Sequence, residues 1–307
     1  MQVLVVFFFT TALVSSVLGV NFDKSFWGNP YRTDGILALS WLVGIALATG
    51  LIYKDGYKAP LVRTIFVLSI LMSVLSITKL SLAGGLGNPN FLAGFLLVTF
   101  PFSHFAAKKF GGYYFAGFII QALAILGTGA RAGIVGLTFY FLIYLVGKRQ
   151  YSVKALAVAA LVFLISVAAV AQSELRVKKE SEFVIAESRE RIVTKGILAF
   201  TKRPVLGWGW ANFDFAFDAI DWPLKFNDDA YVDKAHSNLL EVLVTTGAAG
   251  FVIYISIIAA AFVKLKKGFV PYFLSFVMFI FHSQTNVTHF AEEAVFWFLI
   301  GVAGRKT

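Results

Sequence analysis

A histidine next to a long apolar segment has the chemistry of a proton acceptor. His236 stands in the run Ala235-His236-Ser237-Asn238, and Glu241 follows about one helical turn later. An imidazole with an ordinary pKa of about 6.5 can take a proton from a hydroxyl group at neutral pH. Asn238 and Glu241 are candidates for substrate contacts beside it. A single histidine at a helix start can also be purely structural, and the residue types leave both interpretations open.

Arg131 is the second residue whose position suggests chemistry. It lies in Gly127-Thr128-Gly129-Ala130-Arg131-Ala132-Gly133, and no other charge occurs between Lys109 and Lys148. A charged side chain in hydrocarbon costs about 2.5–3.5 kcal/mol at a helix centre, so such residues usually face a polar cavity or a partner. The alternative is an arginine that extends to the lipid headgroups.

Three further arginines belong to a basic stretch, with Arg189 and Arg191 at its start and Arg203 at its end. A guanidinium group matches phosphate oxygens with two parallel hydrogen bonds, so these residues are candidates for binding a diphosphate. A basic helix face near a membrane also commonly contacts anionic lipid headgroups, which is the competing interpretation.

Two loops supply uncharged candidates. Gly87-Asn88-Pro89-Asn90 precedes an apolar segment, and its backbone N–H groups with Asn88 and Asn90 can face a polar ligand or simply start a helix. In the run from Leu206 to Phe213, Trp208 and Asn212 can contact a sugar ring, although tryptophans near a membrane are also interfacial anchors.

No metal or other cofactor is expected. Asp228, Asp229 and Asp233 lack a recognisable ligand spacing. The absence of cysteine excludes thiolate metal sites and cysteine nucleophiles.

About ten apolar segments must position these residues, since a transmembrane helix needs roughly 20 mostly apolar residues. The sequence is 58% hydrophobic and only 14% charged, against about 25% charged residues in soluble domains. We therefore predict an all-α polytopic bundle in which residues 1–307 form a single membrane domain, with the first segment retained as a helix. The predicted spans lie near 1–20, 35–53, 60–78, 89–107, 111–128, 132–147, 153–171, 238–263, 268–285 and 289–304.

Lysine and arginine concentrate in the short connections on one side of these segments. The positive-inside rule then predicts cytoplasmic termini and an extracytoplasmic loop at 172–237. The same rule accounts for the formal charge of +10, so we expect contacts with membrane lipids and none with nucleic acid. Within the loop, residues 180–202 predict an amphipathic helix that Pro204 ends.

These motifs resemble the O-antigen ligase and polymerase superfamily of membrane glycan transferases. The resemblance rests on four runs in the family's order: Gly87 to Asn90; Thr128 to Gly133, with Ala130 at the usual serine; Arg189 with Arg203 to Gly209 and Asn212-Phe213; and Ala235 to Glu241 with Gly247. The chain departs from the family in its short length and in Thr246, where an acidic residue is usual.

The resemblance implies an inner-membrane enzyme that moves a glycan from a polyprenyl diphosphate to an acceptor hydroxyl on a lipid or glycan. It implies that Arg131 and Arg189 hold the diphosphate, with Arg191 and Arg203 as weaker candidates, and that His236 is the base. We expect inversion at the anomeric carbon and no metal requirement.

Two other classes of function stay open on the sequence. A transporter or flippase for a lipid-linked or anionic solute would also use charged residues near the membrane, but it is expected to show inverted repeats and charges near the bilayer midplane. A protein that only scaffolds an assembly gives no reason for His236 and the arginines to converge.

Overall fold

The computed structural model of this protein describes residues 1–30, 32–148, 187–222 and 231–305, whose regular structure is entirely helical. This confirms the predicted all-α class. The α-helices are α1 Gln2–Val17, α2 Phe22–Trp27, α3 Ile36–Ile52, α4 Lys58–Ile77, α5 Pro89–Phe110, α6 Tyr113–Gly127, α7 Arg131–Lys148, α8 Arg189–Lys202, α9 Phe213–Asp218, α10 Asn238–Lys266, α11 Val270–Ser283 and α12 Phe290–Gly304, with 3-10 turns at Asp55–Tyr57 and Leu82–Gly85.

The predicted spans coincide with helices wherever the structure describes the chain; the span at 153–171 lies outside the described residues. Asp55–Ile77, α5 and α10 are long and apolar enough to cross a membrane, and α1, α3, α6, most of α7 and α11 are shorter apolar helices. These helices and the composition identify a membrane protein. The number of crossings, their orientation and the side of the 172–237 loop stay predictions.

The chain forms two compact units. The first comprises Met1–Tyr53, Ile185–Gly268 and Ser283–Thr307, and the second comprises Lys54–Val184 and Phe269–His282. A single membrane domain over 1–307 stays a prediction.

In the second unit, α5 is the central helix and packs against α4, α6 and α7. Its Phe100 ring lies 4.8 Å from Phe118 and 5.1 Å from Tyr140, measured between ring centroids. The buried amide of Gln121 donates to the Leu96 carbonyl at 2.8 Å, so the polar group is satisfied inside the apolar packing.

In the first unit, α1 packs against α3 and α10, and α3 packs against α12. Phe8 of α1 is fully buried, with its ring 5.2 Å from Tyr254 and 6.0 Å from both Trp210 and Trp297. The aromatic cluster fixes how α1 lies against its neighbours.

The helix α10 is broken at Gly247, where φ is 64° and ψ is −170°. The prediction of one continuous span at 238–263 is therefore corrected. Residues 248–266 continue as a helix of about 28 Å at 1.5 Å per residue, close to the roughly 30 Å thickness of a bilayer's hydrocarbon. The residues from Asn238 to the break form a separate short helix.

A turn from Pro204 to Gly209 fills the break. A helix interruption leaves carbonyl and N–H groups without partners, which is costly away from water. The turn supplies those partners through four backbone hydrogen bonds: Trp208 N–H to Val244 O (3.1 Å), Gly209 N–H to Thr245 O (2.9 Å), Ala248 N–H to Pro204 O (2.8 Å) and Ala249 N–H to Val205 O (3.2 Å).

Glycine is required on both sides of this junction. A Cβ on Gly247 would lie 2.3 Å from the Val205 oxygen, and one on Gly207 would lie 2.6 Å from the Thr245 oxygen. Both residues also have positive φ, at 64° and 72°, which L side chains rarely adopt. Ser15 of α1 completes the junction by donating to the Leu206 and Thr245 carbonyls at 2.5 and 2.7 Å.

The helix α8 leads into the junction. The Ser188 hydroxyl caps its start by accepting from the Arg191 N–H, and the helix ends at Lys202, two residues before Pro204. Its buried face includes Ile192 and Ala199. The predicted amphipathic helix ended by Pro204 is thus confirmed from Arg189 onward, while residues 180–186 lie outside the described residues.

We predict that Gly247→Ala destabilises the protein. The φ of 64° and ψ of −170° at this position belong to a region that is almost restricted to glycine and costs another residue about 1–3 kcal/mol; overlap with the Val205 carbonyl adds to this. The thermal unfolding midpoint in detergent should fall clearly. Gly44→Ala in α3 is the matched control, because no atom lies within 4 Å of a Cβ there; a helix interior favours alanine. Equal thermal unfolding midpoints for Gly247→Ala and Gly44→Ala would contradict the requirement for glycine at the junction.

Candidate functional site

The site in the first unit is centred on His236, which directly precedes the N-cap residue of α10. The residue has φ of 53°, in the left-handed region. This conformation costs a non-glycine residue about 1–2 kcal/mol. Strain of this kind collects at functional sites and persists only where the surroundings hold it.

The residues around His236 are anchored individually. On one side, the Ala235 N–H donates to a Glu241 carboxylate oxygen at 2.8 Å. On the other, the Ser237 hydroxyl donates to the Gln284 side-chain oxygen at 2.9 Å and caps α10 by accepting from the Leu240 N–H. These contacts hold the backbone of His236 from both ends.

Two sets of ion pairs tie the preceding residues to the loop before α3. Arg32 makes a two-pronged contact with Asp233, from Nε to Oδ2 at 2.5 Å and from Nη2 to Oδ1 at 3.1 Å. Lys234 lies 2.5 Å from Asp34 and 3.1 Å from Glu241. Burial alone would lower the pKa of Lys234, but Asp34 and Glu241 together raise it above its ordinary value, so Lys234 is a cation at neutral pH.

The electrostatic surroundings keep His236 neutral. Burial lowers its pKa below the ordinary value, and the nearby charges of Arg189 and Arg32 lower it further, while Asp233 acts in the opposite direction. At neutral pH the imidazole is therefore in the base form. Its Nδ1 atom is buried and has no hydrogen-bond partner among the described residues, whereas Nε2 is not enclosed in this way.

Arg189 is the predicted cation that lies near His236. It is the first residue of α8 and is exposed. After burial, its charge is the largest contribution that lowers the pKa of His236. No ion pair with Arg189 occurs among the described residues, so an anionic ligand does not have to displace a carboxylate found there.

The other two arginines of this stretch differ. The Arg191 guanidinium is largely buried, 2.9 Å from Glu187 and 5.8 Å from the Phe217 ring centroid. Its charge is balanced by Glu187, and a diphosphate contact by Arg191 stays a prediction. Arg203 is exposed and lies 5.0 Å from the Trp208 ring centroid, which leaves it open to phosphate or headgroups.

Trp208 and Asn212, predicted to contact a sugar, lie inside the first unit. Trp208 is 7% exposed, and its indole N–H donates to the Ala199 carbonyl at 2.9 Å. Asn212 is fully buried, and its amide donates to the Asn21 and Ser25 oxygens, both at 3.1 Å. The indole N–H of Trp208 and the amide N–H groups of Asn212 thus have partners within the unit, and sugar contacts by these residues stay predictions.

The two candidates in α10 also differ. Glu241 interacts with Lys234 and with the Ala235 backbone, so it holds the loop; a contact with substrate stays a prediction. Asn238, the first residue of α10, is half-buried one residue beyond Ser237. It remains a candidate for binding an acceptor.

The remaining predicted residues lie in the second unit. Arg131 is the exposed first residue of α7 and follows the Gly129 turn, whose φ is 67°. Asn88 caps α5 by accepting from the Asn90 N–H at 2.8 Å, with Pro89 as the first helical residue. Both asparagines are half-buried, and these bonds establish the helix start without excluding a ligand.

The acidic residues considered for metal binding do not form a site in the described part. Asp233 is paired with Arg32, and Asp228 and Asp229 lie outside the described residues. Among the residues that the structure describes, no group of three or more histidine, aspartate or glutamate side chains is arranged to hold a metal ion.

Sequence reasoning missed the contribution of Arg32, Asp34 and Lys234. The available signal is the alternation of charges, Arg32 with Asp34 in one loop and Asp233 with Lys234 in another. Spacing cannot show that two loops about 200 residues apart in the chain are paired.

We predict that Lys234→Met lowers the free energy of unfolding by about 3–5 kcal/mol, because it leaves two largely buried carboxylates without their cation. Denaturant titration in detergent measures the change. Lys58→Met is the control: Lys58 forms an exposed pair with Asp55, worth about 0–1 kcal/mol. If Lys234→Met lowered the free energy of unfolding by no more than Lys58→Met, Lys234 would not be the cation that balances Asp34 and Glu241.

Comparison with known proteins adds an independent finding. The family model described as Wzy_C, O-Antigen ligase, matches residues 116–255. The matched range contains Arg131, Arg189, the Pro204–Gly209 turn and His236. No curated protein matches the chain. The family match confirms the resemblance of the chain to the O-antigen ligase superfamily and supports a membrane enzyme of the O-antigen ligase or polymerase type.

Proposed function

We propose that the protein transfers a glycan from a polyprenyl diphosphate carrier to an acceptor hydroxyl at the extracytoplasmic face of the inner membrane. The observation that carries the proposal is the neutral imidazole of His236, held in a strained backbone conformation with the Arg189 cation nearby. A base and a phosphate-binding cation in one place are what this transfer needs.

In the proposed reaction, Nε2 of His236 accepts the proton of the acceptor hydroxyl. The acceptor oxygen forms a bond to the anomeric carbon while the bond from that carbon to the diphosphate oxygen breaks. The electron pair of the broken bond stays on the diphosphate, which leaves as an anion. Attack from the face opposite the leaving group inverts the anomeric centre.

Arginines stabilise the departing diphosphate in this account. Arg189 is available for this in the first unit; a role of Arg131 in holding the diphosphate stays a prediction from the sequence. Preorganised positive charge at a developing anion is often the largest single contribution to catalysis. Because guanidinium groups supply that charge, the reaction proposed here does not depend on a metal ion.

The surrounding chain suits a lipid-linked donor. The apolar exposed faces of helices such as α4 and α10 can accommodate a polyprenyl tail, since the lipid tail and the helix surface are both apolar. The half-buried amide of Asn238 is suited to contact hydroxyl groups of the donor or the acceptor glycan; substrate contacts by Asn88 and Asn90 stay predictions from the sequence. Arg203 contributes at most a peripheral phosphate or headgroup contact.

We predict that His236→Ala lowers transfer by about 10²–10⁴-fold, the range typical for loss of general base catalysis. The assay is transfer by purified protein from a lipid-linked oligosaccharide in EDTA, with NMR of the product to establish inversion. His289→Asn serves as control: His289 caps α12 by accepting from the Ala291 N–H, and asparagine keeps that capping ability.

Three results would count against the proposal. Near-normal transfer by His236→Ala would show that His236 is not the base. Loss of transfer in EDTA with recovery on adding a divalent cation would show that arginines alone do not stabilise the diphosphate. Retention of the anomeric configuration would exclude direct displacement.

A further inference from the structure

We propose that Arg32 and Asp233 form a positioning pair for His236: their two-pronged ion pair fixes the loop that presents the imidazole and sets the balance of charge around it. The inference rests on the proposed function, because it assigns these residues to the same reaction. It adds Arg32, from the loop before α3, to that reaction. None of the four sequence runs that carry the family resemblance contains Arg32.

The geometry of the pair is suited to fixing a loop. Nε and Nη2 of Arg32 each reach a different oxygen of Asp233, at 2.5 and 3.1 Å. A planar guanidinium held by two parallel bonds fixes direction as well as distance. The two side chains are 22% and 20% exposed, so water competes only weakly, and Asp233 stands three residues before His236.

A second ion pair makes the arrangement specific to one register. The loop before α3 offers a cation at Arg32 and an anion at Asp34, and the loop before α10 offers the opposite order at Asp233 and Lys234. Only one alignment pairs all four charges. A slip that brings Arg32 beside Lys234 places like charges together, which is penalised.

The loop before α3 is itself held rigidly, so it can act as a support. One Asp34 oxygen accepts from the Asn29 N–H at 2.9 Å. The Asp34 carbonyl accepts from the Trp210 indole at 2.8 Å. Through Trp210, the support is continuous with the segment that fills the break in α10.

Stability alone is a weak reason for such pairs, since partly buried ion pairs roughly balance their desolvation cost. Holding one geometry is the better explanation here, because the φ of 53° at His236 needs surroundings that enforce it. Three elements place charges near the imidazole: α8 with Arg189, the loop before α3 with Arg32, and the loop before α10 with Asp233. Lys234 follows Asp233 in the chain, and its charge is balanced by Asp34 and Glu241.

The pair is tested with Arg32→Gln, Asp233→Asn and the charge-swapped double variant Arg32→Asp/Asp233→Arg. Each single change should lower kcat by roughly 10–100-fold, the scale expected when a reacting group is misplaced by about 1 Å, with little change in KM for the donor. The double variant restores an ion pair and should recover most of the loss.

The pKa of His236 tests the second part of the proposal, the balance of charge around the imidazole, whereas the loss of kcat and its rescue by the swap test the positioning. Removing the Arg32 cation should raise this pKa and shift the acid limb of the rate profile to higher pH; removing the Asp233 anion should lower it and shift the limb to lower pH. The chain has four histidines, so ¹³C labelling of the ring gives four signals, and His236→Ala identifies the one of interest.

Lys24→Gln is the matched control, because it breaks another ion pair of the first unit, with Asp214, and should leave the pKa of His236 unchanged. Wild-type kcat in both single variants, or pKa shifts in the same direction, would overturn the positioning role. A higher KM for the donor in Arg32→Gln, not restored in the charge-swapped double variant, would instead show that Arg32 binds the donor. That result would also overturn the positioning role. Failure of the proposed function is distinguishable, because the wild type would then show no transfer or His236→Ala would retain it, while the pKa of His236 is measured by NMR without turnover.

Discussion

The break in α10 and the turn that fills it are the constraint on which the first unit depends. A helix interrupted at Gly247 loses hydrogen bonds that an apolar environment does not replace, and an unsatisfied backbone group costs several kcal/mol there. The Pro204–Gly209 turn replaces those bonds with its own backbone. Two glycines are needed because two stretches of main chain approach each other without room for side chains.

This junction determines where the chemical groups lie. The turn connects directly to the end of α8, and the short helix before Gly247 begins beside His236. Gly196 of α8 lies against the Leu240 side chain, where an added Cβ would be 3.1 Å from the nearest atom. Backbone pairing at one end of these elements thus places Arg189 and His236 near each other at the other end, and the ion pairs with Arg32 and Asp34 fix the remaining freedom of the loop.

The parts of this arrangement that follow from local rules were predictable. Apolar length located the helices, and Pro89 after Asn88 marked the start of α5. Alternating charge and apolar residues located α8, with Pro204 beyond its end. Local rules could not show the break in α10, because Gly247 lies inside a run apolar enough to predict one helix. They also could not assign Trp208, since tryptophan suits a buried site, a membrane interface and a sugar surface alike, and only tertiary packing decides among them.

The central claim of the account is that Arg189, at the start of α8, and His236, before α10, serve one reaction at the extracytoplasmic face. Since the chain has no cysteine, single cysteines report sidedness without background. Glu190→Cys lies beside Arg189 at the exposed start of α8, and Lys266→Cys lies at the far end of α10. An impermeant maleimide applied to spheroplasts should label Glu190→Cys directly and reach Lys266→Cys only after permeabilisation. Labelling of Glu190→Cys only after permeabilisation would contradict an extracytoplasmic reaction centre.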